Sequence, residues 1–277
     1  MRICCALTAV MLFAAGALAQ TPVVTNGTLE TRTVSRGLAR EVAAIGERST
    51  GPTWIGYAVK VPARDTDESC WSGDNRLVSR PLTTLKLEGP NELFILYRVA
   101  NKEVERIKIA SAECPIDAGG LTLHWLSGVT STESLDLLTT FAAGDSGAAF
   151  GGRRLAGSAI VAIALHRDAP SLDRLLTLAR SGKDGRVRGD ALFWIAQRAG
   201  DTAARTITDA IERDPDTEVK KRAVFALSQL PRDEAVTKLI DVARNNRNPE
   251  VRRQAMFWLG QSNDPRALTF FEEVLRP

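Results

Sequence analysis

The chain has 277 residues and a mass of 30.0 kDa, 44% of them hydrophobic and 25% charged. That balance fits an ordinary folded chain of about two domains and excludes extended disorder. Thirty-six Lys and Arg against 33 Asp and Glu give a formal charge of +3, too even to imply a nucleic-acid or membrane-surface binder. Two histidines and four cysteines leave little for metal or histidine-based chemistry.

Arg2 precedes an apolar run from Ile3 to Leu18 that closes with Ala17-Leu18-Ala19 before Gln20. This is the pattern of a secretory signal over residues 1–19, cleaved after Ala19. The rival is a retained anchor, since the run approaches the ~17 residues of a short membrane span, but the small residues at its end favour cleavage. Cys4 and Cys5 stand at the start of the run, whereas a lipid-modified cysteine follows it. The chain is therefore expected in the periplasm or outside the cell. Cleavage leaves Cys70 and Cys114, which in an oxidising compartment most simply form a disulfide. Closing that loop stabilises by roughly 4 kcal/mol in the chain-entropy model. A catalytic thiol is the sharper alternative, but no CxxC pair and no base at a recognisable spacing accompany either cysteine. The longest later apolar run, Ala159 to Leu165, is too short to span a bilayer, so no stable membrane insertion is expected after cleavage.

Residues 20–130 read as a small α+β domain with mostly antiparallel strands. Leu38, Val42 and Ile45 mark one face of a helix over Leu38 to Glu47. Trp54 to Val61 is β-branched and aromatic, Thr83 to Leu87 alternates, and Leu93 to Val99 has the run of a buried strand. Asn101-Lys102 supplies a hairpin turn into Val104 to Ile109, and Asp117 to Gly120 a second turn before Leu121 to Leu126. Residues 131–153 read as a capping helix followed by a glycine-rich joint.

From residue 154 to 277 the sequence repeats about four times with a period of 32. Val187, Val219 and Val251 fall in register, as do Ala191, Ala223 and Ala255; Phe193, Phe225 and Phe257; Gln197, Gln229 and Gln261; and Ala203, Ala235 and Ala267. A worn first unit carries Leu155, Ala159, Ile163, Leu175 and Ala179 at matching places. Within a unit, Val187, Ala191, Trp194 and Ile195 form a helical stripe, and Gly200, Pro231 and Pro265 mark turns to a second helix. One such hairpin cannot bury both of its faces, so the units must stack into an α-solenoid.

The segment Val251 to Gln261, with Asp264-Pro265-Arg266-Ala267 after it, resembles the short bacterial HEAT repeats also seen in phycobilisome lyases. The front of the chain resembles the same part of secreted bacterial HEAT proteins. The resemblance covers about residues 154–277 and implies protein–protein interaction or scaffolding, with no catalytic set or cofactor to carry over. The alternatives are a lyase or enzyme-accessory protein of the phycobilisome-lyase type, or a hydrolase built on His124 and a carboxylate such as Asp117.

Arg188, Lys220 and Arg252 share one register and would align as a basic ridge for an acidic protein partner, unless they pair with acids at the preceding turns such as Asp184 and Asp216. Phe270, where other units have Thr206 and Lys238, hints at self-association or docking through the last repeat, or at packing back on its own helix. The ladder of Phe193, Phe225 and Phe257 reads as buried packing. Gly144-Asp145-Ser146-Gly147 imitates a serine-protease motif but lacks the context of one. Neither His124 nor His166 has companions at metal-ligand spacing. Asn26-Gly27-Thr28 matches a glycosylation acceptor, a common triplet.

Overall fold

The computed structural model describes residues 21–61, 69–71, 77–79, 92–112, 114–144, 149–166, 168–198 and 200–276. The signal segment, the strand expected at Thr83 to Leu87 and the Asp145-Ser146-Gly147 cluster lie outside them. The described elements begin with β1 (Val24–Thr25), β2 (Thr28–Thr33), α1 (Leu38–Arg48), β3 (Thr53–Lys60), β4 (Ser69–Trp71) and β5 (Leu77–Ser79). There follow β6 (Glu92–Ala100), β7 (Glu103–Ser111), β8 (Ile116–Asp117) and β9 (Thr122–Ser127). Helices fill the rest: α2 (Ser131–Ala143), α3 (Ala149–His166), α4 (Ala169–Ser181), α5 (Gly185–Ala196), α6 (Asp201–Arg213), α7 (Thr217–Ser228), α8 (Arg232–Asn245), α9 (Pro249–Gln261) and α10 (Pro265–Leu275).

The α+β reading of the front holds, with a sheet more mixed than the alternation suggests. Its five strands run β2-β9-β3-β6-β7; β9 is parallel to both β2 and β3, while β3-β6 and β6-β7 are antiparallel. The parallel pairs arise because β2 returns to the sheet through α1, leaving room for β9 between β2 and β3. β2 carries only Leu29 as an apolar residue, so an edge strand of this composition gives no period-2 signal. The β6-β7 hairpin turns at Asn101 and Lys102, both with positive φ (51° and 66°), the geometry that matches the twist of the paired strands.

The two faces of the sheet are covered differently. Trp54, Phe94, Leu96, Leu123 and Trp125 line one face, where Phe94 meets Trp125 edge-on at 4.8 Å and β8 residues close over them. Gly56 belongs to this face: a Cβ there would fall 2.5 Å from Leu96 Cδ2 and 3.0 Å from the Trp125 ring. On the opposite face Ile55, Tyr57, Val59, Ile95 and Tyr97 continue into one hydrophobic core with α1, α2, α3 and the helices beyond. Sheet and solenoid therefore share a core rather than meeting through a linker. Helix α3 starts at Ala149 and runs through Gly151 and Gly152, so these glycines are helical and form no joint.

The helices stack as hairpins: α3/α4, α5/α6, α7/α8 and α9/α10, with α3, α5, α7 and α9 adjacent in turn. The register recurs in the caps. Asp184, Asp216 and Asn248 each accept from the backbone N–H two residues on (2.7, 2.8 and 2.9 Å), satisfying donors at the start of α5, α7 and α9. Helix α2 behaves as half a unit ahead of the array. Its Ser134 and the Ser171 of α4 are both fully buried, and each bonds a residue at or just past the end of the next first-type helix, His166 for Ser134 and Arg198 for Ser171. Among the described residues no helix is long and apolar enough to cross a membrane.

Candidate partner-binding surface

The three cations of the ridge are turned onto the protein itself. Arg188 forms a two-pronged bond to Asp214 (2.8 and 3.0 Å) and also donates to the Gly182 carbonyl (2.8 Å). Lys220 Nζ donates to the Glu212 carbonyl at 2.8 Å, and Arg252 to the Asn246 carbonyl at 2.8 Å. Each carbonyl acceptor lies at or just beyond the C-terminus of the preceding second helix, where carbonyls lack intrahelical partners and the dipole favours a cation. The repeated basic residue is thus a capping device. The expected acids, Asp184 and Asp216, serve as N-caps instead. The Arg188–Asp214 pair is nearly buried, and its two hydrogen bonds to charged groups hold the guanidinium above its ordinary pKa.

The aromatic ladder is less buried than its spacing suggests. Phe193 stacks on Phe225 with ring centroids 5.6 Å apart and planes 5° from parallel. Phe225 meets Trp258 at 4.9 Å, Trp194 abuts Phe193, and Phe257 meets Trp258 edge-on. Phe193, Trp194, Phe225 and Trp258 are all partly exposed, and Phe257 is 54% exposed. An unbroken aromatic stripe therefore crosses three units on the outer side of the first helices. Trp258 Nε1 is buried with no hydrogen-bond partner among the described residues.

The last unit carries the second apolar surface, though not at Phe270. That side chain is 2% exposed, and the guanidinium of Arg244, from α8 of the preceding unit, lies over its ring at 5.4 Å; it belongs to the core of the array and is not available to a partner. The available residues are Leu268 (67% exposed) and Leu275 (79%) beside the partly exposed Met256 and Phe271. In register these match Val236, Ala243, Val224 and Leu239, and before them Ala204, Ile211, Leu192 and Ile207, all buried by the following unit. The end of the array thus presents a face that inner units bury.

The remaining polar groups of interest lie where sheet and array meet. His166 Nδ1 lies 2.7 Å from the Ala162 carbonyl, which only accepts, so Nδ1 carries the proton and Nε2 accepts from Ser134 Oγ at 3.0 Å. Ser134 then accepts from Tyr57 Oη (2.9 Å), and Tyr57 from Tyr97 Oη (2.7 Å). The result is a one-directional chain, Tyr97 to Tyr57 to Ser134 to His166, fully enclosed. Burial lowers the His166 pKa and raises those of both tyrosines. No substrate reaches this histidine, and its task is structural.

His124 is the other histidine. Its Nδ1 lies 3.1 Å from Glu30 Oε2, in a geometry that makes no hydrogen bond. Burial, opposed by Glu30, lowers its pKa. Asp117 is engaged in its own turn, accepting from Gly119 N at 2.8 Å and from Asn26 Nδ2 at 3.3 Å. The carboxylate beside His124 is therefore Glu30, a cross-strand neighbour invisible until the β2-β9 register is known. Among the described residues no cluster of His, Cys, Asp and Glu is arranged to hold a metal ion.

The array of right-register helical hairpins defines an α-solenoid. Residues 204–277, from within α6 to the end of α10, match the family model of HEAT repeats. No curated protein matches the chain. Among solved structures, the chain is similar to a chain of the complex of CpcE and CpcF of phycocyanin lyase from Nostoc sp. PCC7120. The likeness has 18% identity and a TM-score of 0.40, over 52% of this chain and 90% of that one.

Proposed function

We propose that this is an exported scaffold or adaptor without catalysis, which holds a protein partner on the aromatic stripe of its solenoid. The observation that carries it is the contrast between the two ladders. The array consumes its repeated cations as helix caps and leaves its repeated aromatics open. Half-exposed aromatic rings held rigidly by stacking are favourable anchors, because they offer large contact area at little cost in side-chain entropy. The test is Phe257→Ser, the most exposed ring of the stripe, in affinity capture of cross-linked partners. Loss of a specific captured protein with an unchanged melting curve supports the proposal; capture unaffected by the substitution removes the stripe as the site.

Export rests on the signal-like residues 1–19, and the test is the N-terminus of the mature protein, expected at Gln20. A Cys70–Cys114 disulfide belongs to the same proposal. It is supported by the bonded state of Cys114 and by the packing of β4, which contains Cys70, against β7 just ahead of Cys114. Mass spectrometry after alkylation without reduction should find neither thiol labelled.

A second mode, self-association through the last repeat, is favoured by the open end described above. Contiguous exposed apolar residues of this kind mark interaction surfaces. Leu268→Glu with Leu275→Glu should abolish any dimer seen by sedimentation, while a purely monomeric wild type at all concentrations would dismiss it.

A further inference from the structure

The front domain carries a basic cleft that the scaffold role does not use. Its walls are the edge of the sheet and the C-terminal end of α1 with the loop that follows. The cleft has a volume of about 320 Å³, and its polar lining includes Arg32, Arg48, Thr50 and His124, within the size range of small-molecule sites. Arg32 comes from β2, Arg48 from the end of α1 and His124 from β9, so three separate elements bring basic nitrogen to one place. Neither arginine has an ion-pair partner among the described residues. The nearby acid is Glu30, which can offset only one of these charges and lies against His124. His124 Nδ1 is buried and makes no hydrogen bond among the described residues.

The larger cavity of the solenoid makes the contrast. It spans about 490 Å³ beside Arg188 and is lined by acids as well as cations, with Arg188 paired to Asp214 and Arg213 to Asp209. The lining of the front cleft holds cations and no acid. The carbonyls at the end of α1 oppose an anion, but Ser49 Oγ already donates to the Ile45 carbonyl at 2.8 Å, and one guanidinium outweighs the roughly half charge of a helix end.

We infer that this cleft binds a small molecule bearing a carboxylate or phosphate group, with the Arg32 and Arg48 guanidiniums gripping its oxygens. A guanidinium fork matches the paired oxygens of either group, and the volume leaves room for a body beyond the anion itself.

The experiment follows the imidazole resonances of His124 by NMR in the full chain, titrating inorganic phosphate in one arm and acetate in the other at constant ionic strength set with chloride. Saturable shifts at millimolar concentration in either arm are expected, and the stronger arm identifies the group recognised. Arg32→Gln and Arg48→Gln, checked for an unchanged circular dichroism spectrum, should each weaken binding about tenfold, the worth of one charge-assisted contact. Shifts that do not saturate in either arm, or affinity equal to wild type in both variants, overturn the inference.

Discussion

Replacing Ser134 by Ala removes the middle link of the buried chain joining sheet to array. Its hydroxyl donates to His166 Nε2 and accepts from Tyr57, at 3.0 and 2.9 Å, with every member of the chain enclosed. The substitution strands one proton and one acceptor. The proton is that of Tyr57, or of Tyr97 if the tyrosine pair reverses; the acceptor is the imidazole nitrogen. A stranded buried group costs about 1–3 kcal/mol, so the loss should be about 3 kcal/mol in all. The missing oxygen leaves too little space for a water to replace it. Urea unfolding with an unchanged m-value measures the loss. The polarity of the chain gives a second, sharper expectation. Tyr97→Phe removes only the terminal donor and leaves an under-used oxygen, so it should cost about 1 kcal/mol. A loss below about 0.5 kcal/mol for Ser134→Ala, or a larger loss for Tyr97→Phe than for Ser134→Ala, would refute the proposed direction of donation.

Stability should also fall with acid near neutrality. The pKa values of His166 and His124 are lowered from 6.5 in the folded chain, so below that value the unfolded chain binds more protons. Stability is full above 6.5, declines as the pH drops toward the folded values, and levels off beneath them. Unfolding midpoints across that window should show the decline, and a flat profile for wild type would contradict the buried neutral imidazoles. Arg188→Ala leaves the nearly buried Asp214 carboxylate without its partner, a loss of about 3 kcal/mol measurable by denaturant unfolding; an unchanged midpoint would return Arg188 to the candidate binding residues. Gly56→Ala should cost about 1–3 kcal/mol by crowding Leu96 and Trp125, and thermal unfolding of that variant at wild-type temperature would show that the sheet yields there without strain.

The repeat was legible because stacking of identical hairpins writes its geometry into the sequence. Whatever Val187, Ala191 and Ile195 pack against, Val219, Ala223 and Leu227 pack against the same way one unit on, and all are buried. Turn chemistry was equally local, from Asn101-Lys102 to Pro265. The fate of the ridge was not legible, since Arg188, Lys220 and Arg252 look alike whether they reach into solvent or fold back onto carbonyls. Only the rise of the chain from one hairpin to the next puts those carbonyls within 2.8 Å. The choice between docking and packing back at Phe270 was hidden for a similar reason, because the sequence does not say which side of its helix faces inward. The partners of the histidines were hidden as well. Glu30 stands 94 positions from His124, and Ser134 reaches Tyr57 across 77.

The sequence by itself determined the architecture of this protein, a sheet-forming front and a stacked helical array, because period and turn chemistry act over a few residues. Tertiary structure alone decided which repeated side chains are spent and which stay open. Burial and charge pairing depend on neighbours that no local pattern names. By that measure the near-neutral charge conceals two opposite arrangements: a solenoid whose repeated cations are tied into its own helix ends, and a cleft in the front domain where two are not.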